Sequence, residues 1–411
     1  MINPKTKQRE LAYVVQVDEI IPIEGADKVE QARVGGWHIM VRKGQFKPGD
    51  YAIYFEIDSK VPAREPYMFL AQKHFKIKTQ KYFKGTVISQ GLLMAFEDFE
   101  EANGAPAWLT ELKMLMINEG FDPVHYFLTE ALGVTYSVEE DNKRKSNITK
   151  YDKMYQRHLG LFKKHKWLRR LFEKTWGKKL LFIFLGKKRD TRNWPAWVVK
   201  TDEERVQNMP FLFPGNPNKI WMVTEKIDGS STTFTIKGRG RKQEFYVCSR
   251  NVCFDKPEKT DRCYYDTNIY LEMAEKYNVQ EQMKKIFDAH KDWDFFTIQG
   301  ETYGKNVQNR DYGLEGRDFM AFNVIYSKNG VPTRMNPAEM AEFLAENTDI
   351  PTVPILDDHF ILPERMDDMI AYADGCSMID GEMREGVVLR TIDGVESFKS
   401  VSNEFLIKYH Q

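Results

Sequence analysis

A lysine-bearing octapeptide, Thr224-Glu225-Lys226-Ile227-Asp228-Gly229-Ser230-Ser231, lies between two runs of strand-forming residues. Residues 220–223 precede it and residues 232–236 follow it, so the sequence predicts the tight end of a β-hairpin with Lys226 at its edge. A lysine amine becomes a nucleophile when burial or a second nearby cation lowers its pKa. The apolar strand ahead of Lys226 favours burial of this side chain.

The pattern Lys-x-Asp-Gly is short, and Asp-Gly is an ordinary turn former. The tripeptide Ile-Asp-Gly occurs at residues 227–229, 379–381 and 392–394, and only the first copy follows a lysine. The motif therefore identifies a nucleophile only if other parts of the chain supply partners for it.

Length and composition limit the class of protein. The chain has 411 residues, enough for two or three domains, and its 60 basic residues balance its 60 acidic ones. The longest apolar run, residues 180–185, is far too short for a membrane span, and the amino terminus is polar. We expect a cytoplasmic monomer with no membrane partner.

Residues 1–100 are typical of an OB-like β-barrel domain that binds nucleic acid. Short runs of β-branched and aromatic residues alternate there with turn formers such as residues 47–50. The lysines and aromatic residues at 73–84 have two interpretations. They either bind single strands or form a solvated edge hairpin whose charges prevent aggregation.

The predicted second unit, residues 101–199, is a helical, basic insertion or linker. Residues 141–193 contain 18 Lys or Arg against four acidic residues, with apolar residues at helical spacing. Three interpretations remain open: a clamp on a nucleic-acid backbone, a helix on an anionic membrane surface, and a solvated linker packed on a neighbour.

Residues 200–411 mix strands and helices, with strands predicted at 245–249, 293–299, 319–326 and 386–390 and a helix over 268–290. Asn336-Pro337 is typical of a helix start. The regular βαβ alternation of a dinucleotide-binding fold is missing. The fold class is therefore α+β with antiparallel hairpins.

Groups suited to nucleotide chemistry follow one another along this domain. Arginine suits phosphate, carboxylates suit a hard metal ion, and an aromatic side chain suits a base. They occur in the order Lys226-Ile-Asp228-Gly229, Ser249-Arg250-Asn251, Gly300-Glu301, Phe319-Met-Ala-Phe322, Glu385-Gly-Val-Val388 and Lys399. Each motif is common singly, but the succession resembles that of the covalent nucleotidyltransferases, which include ligases and capping enzymes.

Further segments resemble the ATP-dependent RNA ligases of the Deinococcus type, a branch related to the phage T4 RNA ligase 2 group. The resemblance extends over both ends of the chain but leaves the basic block at 141–193 unmatched. The segments are Ile23-Glu-Gly-Ala-Asp27, Gly36-Trp37, Lys47-Pro-Gly-Asp50, Ser89-Gln-Gly-Leu-Leu93, Leu132-Gly-Val-Thr135 and residues 200–210.

The resemblance implies a carboxyl-terminal adenylyltransferase domain with ATP-grasp-like antiparallel sheets. It implies that the protein seals RNA 5′-phosphate and 3′-hydroxyl ends through a lysyl-AMP, in RNA repair. The implied cofactors are ATP and Mg²⁺ or Mn²⁺. The implied site residues are the nucleophile Lys226; the nucleotide-binding residues Glu225, Asp228, Gly229, Arg250, Glu301, Phe322, Lys399 and Lys408; and the metal ligands Glu301 and Glu385.

Two positions depart from the phage-type pattern. Asn323 stands where that pattern has an aspartate, and Val401 stands where it has a second lysine, a role that Lys408 is expected to fill. The alternatives are a DNA ligase or a capping-type guanylyltransferase, and, outside enzymes, an RNA-binding protein with a vestigial pocket. The partner is RNA, as a nicked duplex, a broken tRNA loop or free ends, and the template strand is either RNA or DNA, which would make an RNA/DNA hybrid.

Overall fold

A computed structural model describes residues 1–100, 104–136, 150–185, 191–200, 202–254 and 268–409. The amino-terminal unit is built from short strands: β1 (Ala12–Gln16), β2 (Glu19–Pro22), β3 (Val29–Val34), β4 (Trp37–Arg42), β5 (Tyr51–Phe55), β6 (Ser59–Lys60), β7 (Gln80–Tyr82), β8 (Val87–Ser89) and β9 (Leu92–Met94). Antiparallel sheets form in the orders β1-β5-β9, β2-β3-β4 and β7-β8.

Strand β5 is buried on both faces, because successive side chains of a strand point to opposite sides. Ala52 and Tyr54 pack into one hydrophobic cluster, whereas Ile53 and Phe55 pack into another. The predicted barrel is thus organised around a strand with no solvent-facing side.

Two helices beyond residue 100 belong to the same packing unit. They are α1 (Ala107–Glu119) and α2 (Thr129–Leu132), followed by β10 (Thr135–Tyr136), which pairs with β6. Leu109 and Leu112 of α1 are fully buried in the cluster that contains Phe55. The hydrophobic core therefore extends the amino-terminal unit past the predicted limit at residue 100.

The basic insertion is helical in its described part, as predicted. It contains α3 (Lys150–Arg157), α4 (Leu159–Lys164), α5 (Lys166–Glu173) and α6 (Thr175–Leu185). Met154, Phe162, Leu168 and Leu181 form a small core between these helices. Residues 141–149 and 186–190 of the basic block lie outside the described residues.

The carboxyl-terminal domain contains two antiparallel sheets. Its strands are β11 (Thr191–Arg192), β12 (Ile220–Lys226), β13 (Ser230–Lys237), β14 (Glu244–Ser249), β15 (Cys253–Phe254), β16 (Trp293–Gly304), β17 (Arg317–Lys328), β18 (Val331–Arg334), β19 (Ile355–Ile361), β20 (Gly386–Thr391) and β21 (Ser397–Val401). The larger sheet has the order β11-β15-β14-β13-β16-β17-β18, and the smaller has the order β19-β12-β20-β21.

Helices cover these sheets, and one of them begins with a capping box. They are α7 (Ile269–Lys276), α8 (Val279–Ala289), α9 (Pro337–Asn347), α10 (Met366–Ala373) and α11 (Asn403–Tyr409). The Asn336 side chain accepts a hydrogen bond from the Glu339 N–H, and the Glu339 carboxylate accepts one from the Asn336 N–H. This capping box, with Pro337 in the first turn, confirms the predicted helix start.

The predicted hairpin around Lys226 is wrong. Strands β12 and β13 do not pair with each other: β12 lies between β19 and β20 in the smaller sheet, whereas β13 lies between β14 and β16 in the larger one. The octapeptide therefore crosses from one sheet to the other. The Asp228 N–H donates to the Tyr312 hydroxyl (2.7 Å) instead of entering a hairpin ladder.

Several contacts join the amino-terminal unit to the carboxyl-terminal domain. The Ile2 N–H donates to the Asn208 carbonyl (2.8 Å), Lys81 Nζ donates to the Ile407 carbonyl (2.8 Å), and Arg33 forms an ion pair with Asp367. None of the helices in the described ranges is long and apolar enough to cross a membrane. The α+β class with an amino-terminal OB-like barrel is confirmed.

Candidate active site

A cavity of about 310 Å³ lies where the chain crosses between the two sheets. Small-molecule sites in proteins begin at roughly this size. Residues from both sheets and from the segment ahead of β12 line it: Asp202, Glu203, Thr224, Glu225, Lys226, Ile227, Gly229, Ser230, Ser231, Arg250, Glu301, Gln308, Phe322, Val353, Val388, Arg390 and Lys399. Most of the predicted site residues thus meet in one place.

Lys226 is the last residue of β12 and forms a half-buried ion pair. Its Nζ lies 2.6 Å from Glu385 Oε2. The register explains this contact, because Lys226 is opposite Gly386, the first residue of β20, and Glu385 directly precedes that strand. The predicted nucleophile and a predicted metal ligand are therefore in direct contact.

A nucleophilic lysine is expected to have a lowered pKa, whereas the surroundings of Lys226 raise its pKa. Burial alone would lower the pKa of Lys226, but the carboxylates of Glu385 and Glu301 outweigh burial and raise it. Burial, with the nearby charge of Glu385 adding to it, also raises the pKa of Glu301 to about 8 and that of Asp228 to about 7. The amine is thus held as an ammonium, and the carboxyl groups of Glu301 and Asp228 resist ionisation.

Glu301 and Glu385 suit a divalent cation that is also bound by a ligand. Within the described residues, no group of three or more His, Cys, Asp or Glu side chains is placed to hold a metal ion. Mg²⁺ often uses one or two carboxylates together with water and the phosphates of a bound nucleotide. Burial is the main cause of the raised pKa of Glu301, and a cation bound beside this carboxyl group would favour its ionised form. The donor set therefore fits the implied Mg²⁺ or Mn²⁺.

Two cations on the other side of the cavity converge on one carboxylate. Asp202 accepts a hydrogen bond from the Arg250 guanidinium and another from Lys399 Nζ at 3.1 Å. Burial would raise the pKa of Asp202, but Lys399 and Arg250 together lower it, so this residue is ionised at neutral pH. The two cations form a site for an anion, and the Asp202 carboxylate occupies that site in this structure.

The cavity has an apolar end. Phe322, Val353 and Val388 line it, and Phe322 and Val353 belong to a hydrophobic cluster with Ile227. Buried Arg390 holds the wall in place, since its guanidinium donates to the Phe322 carbonyl (2.8 Å) and pairs with Glu203 (3.2 Å). A flat aromatic base fits this end next to the Phe322 ring.

The predicted residues beside the lysine support the crossing loop. Buried Glu225 accepts hydrogen bonds from the Ser377 hydroxyl and from the Met378 N–H (2.8 Å). Its carboxylate thus joins the crossing loop to the segment that contains Ser377 and Met378. Gly229 allows close packing, because a Cβ there would lie 2.3 Å from the Thr302 carbonyl oxygen. Both residues shape the cavity through its backbone.

The structure places the remaining predicted residues elsewhere. Lys408 does not line the cavity, and its Nζ lies 3.5 Å from Glu382. Asn323 is buried on the face of β17 opposite Phe322 and donates to Gln299 (3.1 Å). Val401 is buried at the end of β21. Of the three cations predicted to bind phosphate, Lys399 and Arg250 line the cavity and Lys408 does not.

Four charged or amide side chains that line the cavity were not predicted as site residues: Asp202, Glu203, Gln308 and Arg390. The first two belong to the segment 200–210, whose resemblance to the RNA ligases was the available signal. Arg390 lies in the strand that follows Glu385, just after the quoted motif. No sequence signal indicated Gln308. Its side chain donates to the Gly229 carbonyl (2.9 Å).

Two family models match the sequence. Residues 219–410 match the RNA ligase family, and residues 11–96 match a family of OB-fold domains. The first match contains Lys226, Arg250, Glu301, Phe322, Glu385 and Lys399, and the second contains strands β1 to β9. No curated protein sequence matches the chain.

Solved structures of an RNA ligase from Naegleria gruberi are similar over nearly the whole chain. A mutant with ATP and Mn is 25% identical with a TM-score of 0.62, and the match covers 97% of this chain and 99% of that chain. A mutant with AMP and Mn is 26% identical with a TM-score of 0.62 over 98% and 99%. The form with PPi is 25% identical with a TM-score of 0.59 over 98% and 99%.

Proposed function

We infer that this chain, an ATP-dependent RNA ligase, joins RNA ends through a covalent lysyl-AMP formed on Lys226. The observation that supports this chemistry most directly is the position of Lys226 Nζ. It lies 2.6 Å from Glu385 in a cavity that also contains a cation pair and an apolar end. Carboxyl groups, cations and an apolar wall thus lie around one amine, and this supports attack of the amine on a nucleotide phosphate.

The proposed reaction has three steps. The neutral Lys226 amine attacks the α-phosphorus of ATP, forming a P–N bond as the P–O bond to pyrophosphate breaks, and the nitrogen loses one proton to solvent. An oxygen of the RNA 5′-phosphate then attacks the same phosphorus. This attack breaks the P–N bond, the lysine nitrogen takes up a proton from solvent, and an adenylylated RNA end results. Finally, the 3′-hydroxyl oxygen attacks the RNA 5′-phosphorus, loses its proton and displaces AMP.

The residues of the cavity divide these tasks. Lys399 and Arg250 neutralise phosphate charge, Phe322 and the adjacent apolar wall hold adenine, and Glu301 and Glu385 would hold the divalent cation. When bound, that cation supplies positive charge at the α-phosphate and at the two carboxylates. Phosphoryl transfer depends mainly on such positioning and charge neutralisation, so a dedicated acid or base side chain is not required.

The Lys226 amine must be neutral before it can attack, so its protonation state decides whether it reacts. Glu385 and Glu301 raise the pKa of this lysine. Once the negative charge of the two carboxylates is neutralised, the effect of burial dominates and lowers the pKa instead. The ion pair therefore keeps the amine unreactive until the nucleotide site is filled.

We further propose that the chain belongs to the Deinococcus-type branch and that it acts in RNA repair in the cytoplasm. The amino-terminal position of the OB-fold domain and the motif at residues 200–210 support the branch. The segment 202–205 also runs beside β21, where the Lys399 N–H donates to the Glu204 carbonyl (2.7 Å). In this chain, Asp202 and Glu203 of that segment line the cavity.

Lysyl-AMP formation can be tested with ATP labelled at the α-phosphate. The parent should retain the label after denaturation, the Lys226→Ala variant should retain none, and the Lys219→Ala variant should behave as the parent. Lys219 is a matched control because it precedes the same strand but pairs with Glu396 outside the cavity. Labelling of Lys226→Ala at the parent's rate would refute the assignment, and an unlabelled parent would favour a vestigial pocket.

Substrate class needs a second experiment. Labelled GTP that replaces ATP would indicate a capping-type guanylyltransferase. Nicked duplexes that differ only in the sugar at the 3′ end distinguish RNA from DNA ligation, and duplexes with DNA or RNA template strands test the hybrid. We expect sealing only with a ribose at the 3′ end.

A further inference from the structure

We propose that the outer surface of helices α5 and α6 binds a single-stranded part of the RNA substrate, with phosphates on its cations and bases stacked on two tryptophans. We call this surface the insertion face and define it by Lys166, Trp167, Arg170, Lys174, Trp176 and Lys179. This inference rests on the proposed function, because it assigns a second contact for the same substrate.

The helices of the insertion pack against one another through their inner sides. Phe162, Leu168 and Leu181 are buried between the helices, so the inner side of each helix is already used for packing. Gly177 allows α6 to pack closely on α5, since a Cβ there would lie 1.9 Å from the Leu171 carbonyl oxygen. The outer side chains are consequently those that the small core leaves to solvent.

Both tryptophans of the face are exposed. Trp167 exposes 64% and Trp176 58% of its surface, although large aromatic side chains are normally packed. Lys174 Nζ lies 5.9 Å from the centre of the Trp176 ring. A ring next to a cation is the arrangement on which single-stranded nucleic acids bind, because each nucleotide offers a flat base and a phosphate.

The charge of the insertion favours a polyanion. Residues 150–185 contain 11 Lys or Arg and two acidic residues, although the whole chain is neutral. Among the described residues, no carboxylate forms an ion pair with Lys166, Arg170 or Lys174. These cations are available to phosphates, and their concentration on one unit suits a phosphate backbone.

An anionic membrane is the competing partner, since Leu180, Ile183 and Phe184 are also exposed on α6. Insertion of a helix into a bilayer requires an apolar side without charges. Trp167 does not meet this condition, because exposed Lys166 and Arg170 flank it on α5. Lys174 and Lys179 stand on either side of Trp176 in the sequence and are exposed. Each tryptophan thus has cations close to it, which fits RNA better than lipid.

The insertion is attached beside the proposed phosphate site. Strand β11, which follows helix α6 in the chain, pairs with β15, and Arg250 lies in the turn that joins β14 to β15. After β11, the chain continues into the segment that contains Asp202 and lines the cavity. An RNA strand bound to the insertion face would therefore lie on helices that are followed along the chain by a segment lining the nucleotide cavity.

Binding of a fluorescent single-stranded RNA to the full chain tests the proposal. The variants are Trp167→Ala with Trp176→Ala, and a charge reversal in which Lys166, Arg170 and Lys174 become glutamate. The tryptophan pair should weaken binding by roughly tenfold or more, because stacking on each ring contributes. The charge reversal should reduce the slope of log affinity against log salt by about 2, since each single-strand phosphate contact contributes about 0.7. A matched control reverses the exposed Lys242, Lys285 and Lys291.

Two further measurements separate the possible failures. Formation of lysyl-AMP from ATP needs no RNA, so it reports whether each variant is folded and whether the proposed function holds. A parent that forms lysyl-AMP, with RNA affinity and salt slope unchanged in both variants, overturns the insertion face but not the ligase chemistry. Loss of binding to phosphatidylserine vesicles with unchanged RNA affinity also overturns it, in favour of a membrane.

Discussion

The contact of Asp202 with Arg250 and Lys399 leads to a prediction about ATP affinity. Asp202→Asn keeps the size of the side chain but removes the charge that pairs with both cations. If ATP phosphates bind these cations, they must displace the Asp202 carboxylate. The variant should therefore bind ATP more tightly than the parent.

The size of the effect follows from the exposure of the groups. Asp202 and Arg250 expose 53% and 60% of their side chains, so solvent screens the pair strongly. Partly exposed ion pairs contribute roughly 0.2–1 kcal/mol each. Two such pairs amount to about 0.4–2 kcal/mol, which corresponds to a dissociation constant for ATP lower by about 2-fold to 30-fold. The gain should shrink as the salt concentration rises.

Calorimetric titration with ATP and Mg²⁺ measures this affinity without the covalent step if both proteins also carry Lys226→Ala. Asp292→Asn is the matched control, because Asp292 pairs with Lys328 (2.9 Å) away from the cavity. Unchanged or weaker ATP binding by Asp202→Asn would refute the displacement argument. Asp202 would then orient the two cations for the nucleotide.

Three further predictions concern the loop, the carboxylates and the amino-terminal core. Gly229→Ala should slow lysyl-AMP formation and cost about 1–3 kcal/mol of stability, because its methyl group meets the Thr302 carbonyl; denaturant unfolding and labelling measure both effects. Glu301 has a raised pKa of about 8, so the folded protein binds more protons than the unfolded chain. Without metal, this contribution to stability is complete below about pH 4.3, the ordinary glutamate pKa, and is lost as pH rises through 8. The slope should reach at most about 1.4 kcal/mol per pH unit, and Glu301→Gln should flatten it in melting curves measured across pH. Leu109→Ala should destabilise the amino-terminal unit by about 2–5 kcal/mol in denaturant titration, whereas a helix outside that core would tolerate the change.

Local chemistry made part of the structure predictable. The Asn336-Pro337 helix start follows from side chains that bond the first free N–H groups, and β17 follows from its apolar and aromatic residues. The order of motifs also identified Lys226 and Glu385, because each stands at the end of a strand whose residues form it locally. Pairing between distant strands has no such signal, and the predicted hairpin at Lys226 was wrong for that reason.

The sequence by itself determined which residue types stand at the strand ends, and hence the nucleophile, carboxylates and cations available for nucleotide chemistry. Tertiary structure alone decided their charge states and partners. Glu385 is 159 positions from Lys226 in the sequence but 2.6 Å away in space, and it raises the pKa that burial of a lysine would lower. The sequence likewise does not distinguish Asp202 from other aspartates, and only the fold places it between Arg250 and Lys399. Electrostatic interactions depend on distance through space and on solvent exposure, and neither is encoded in local sequence patterns.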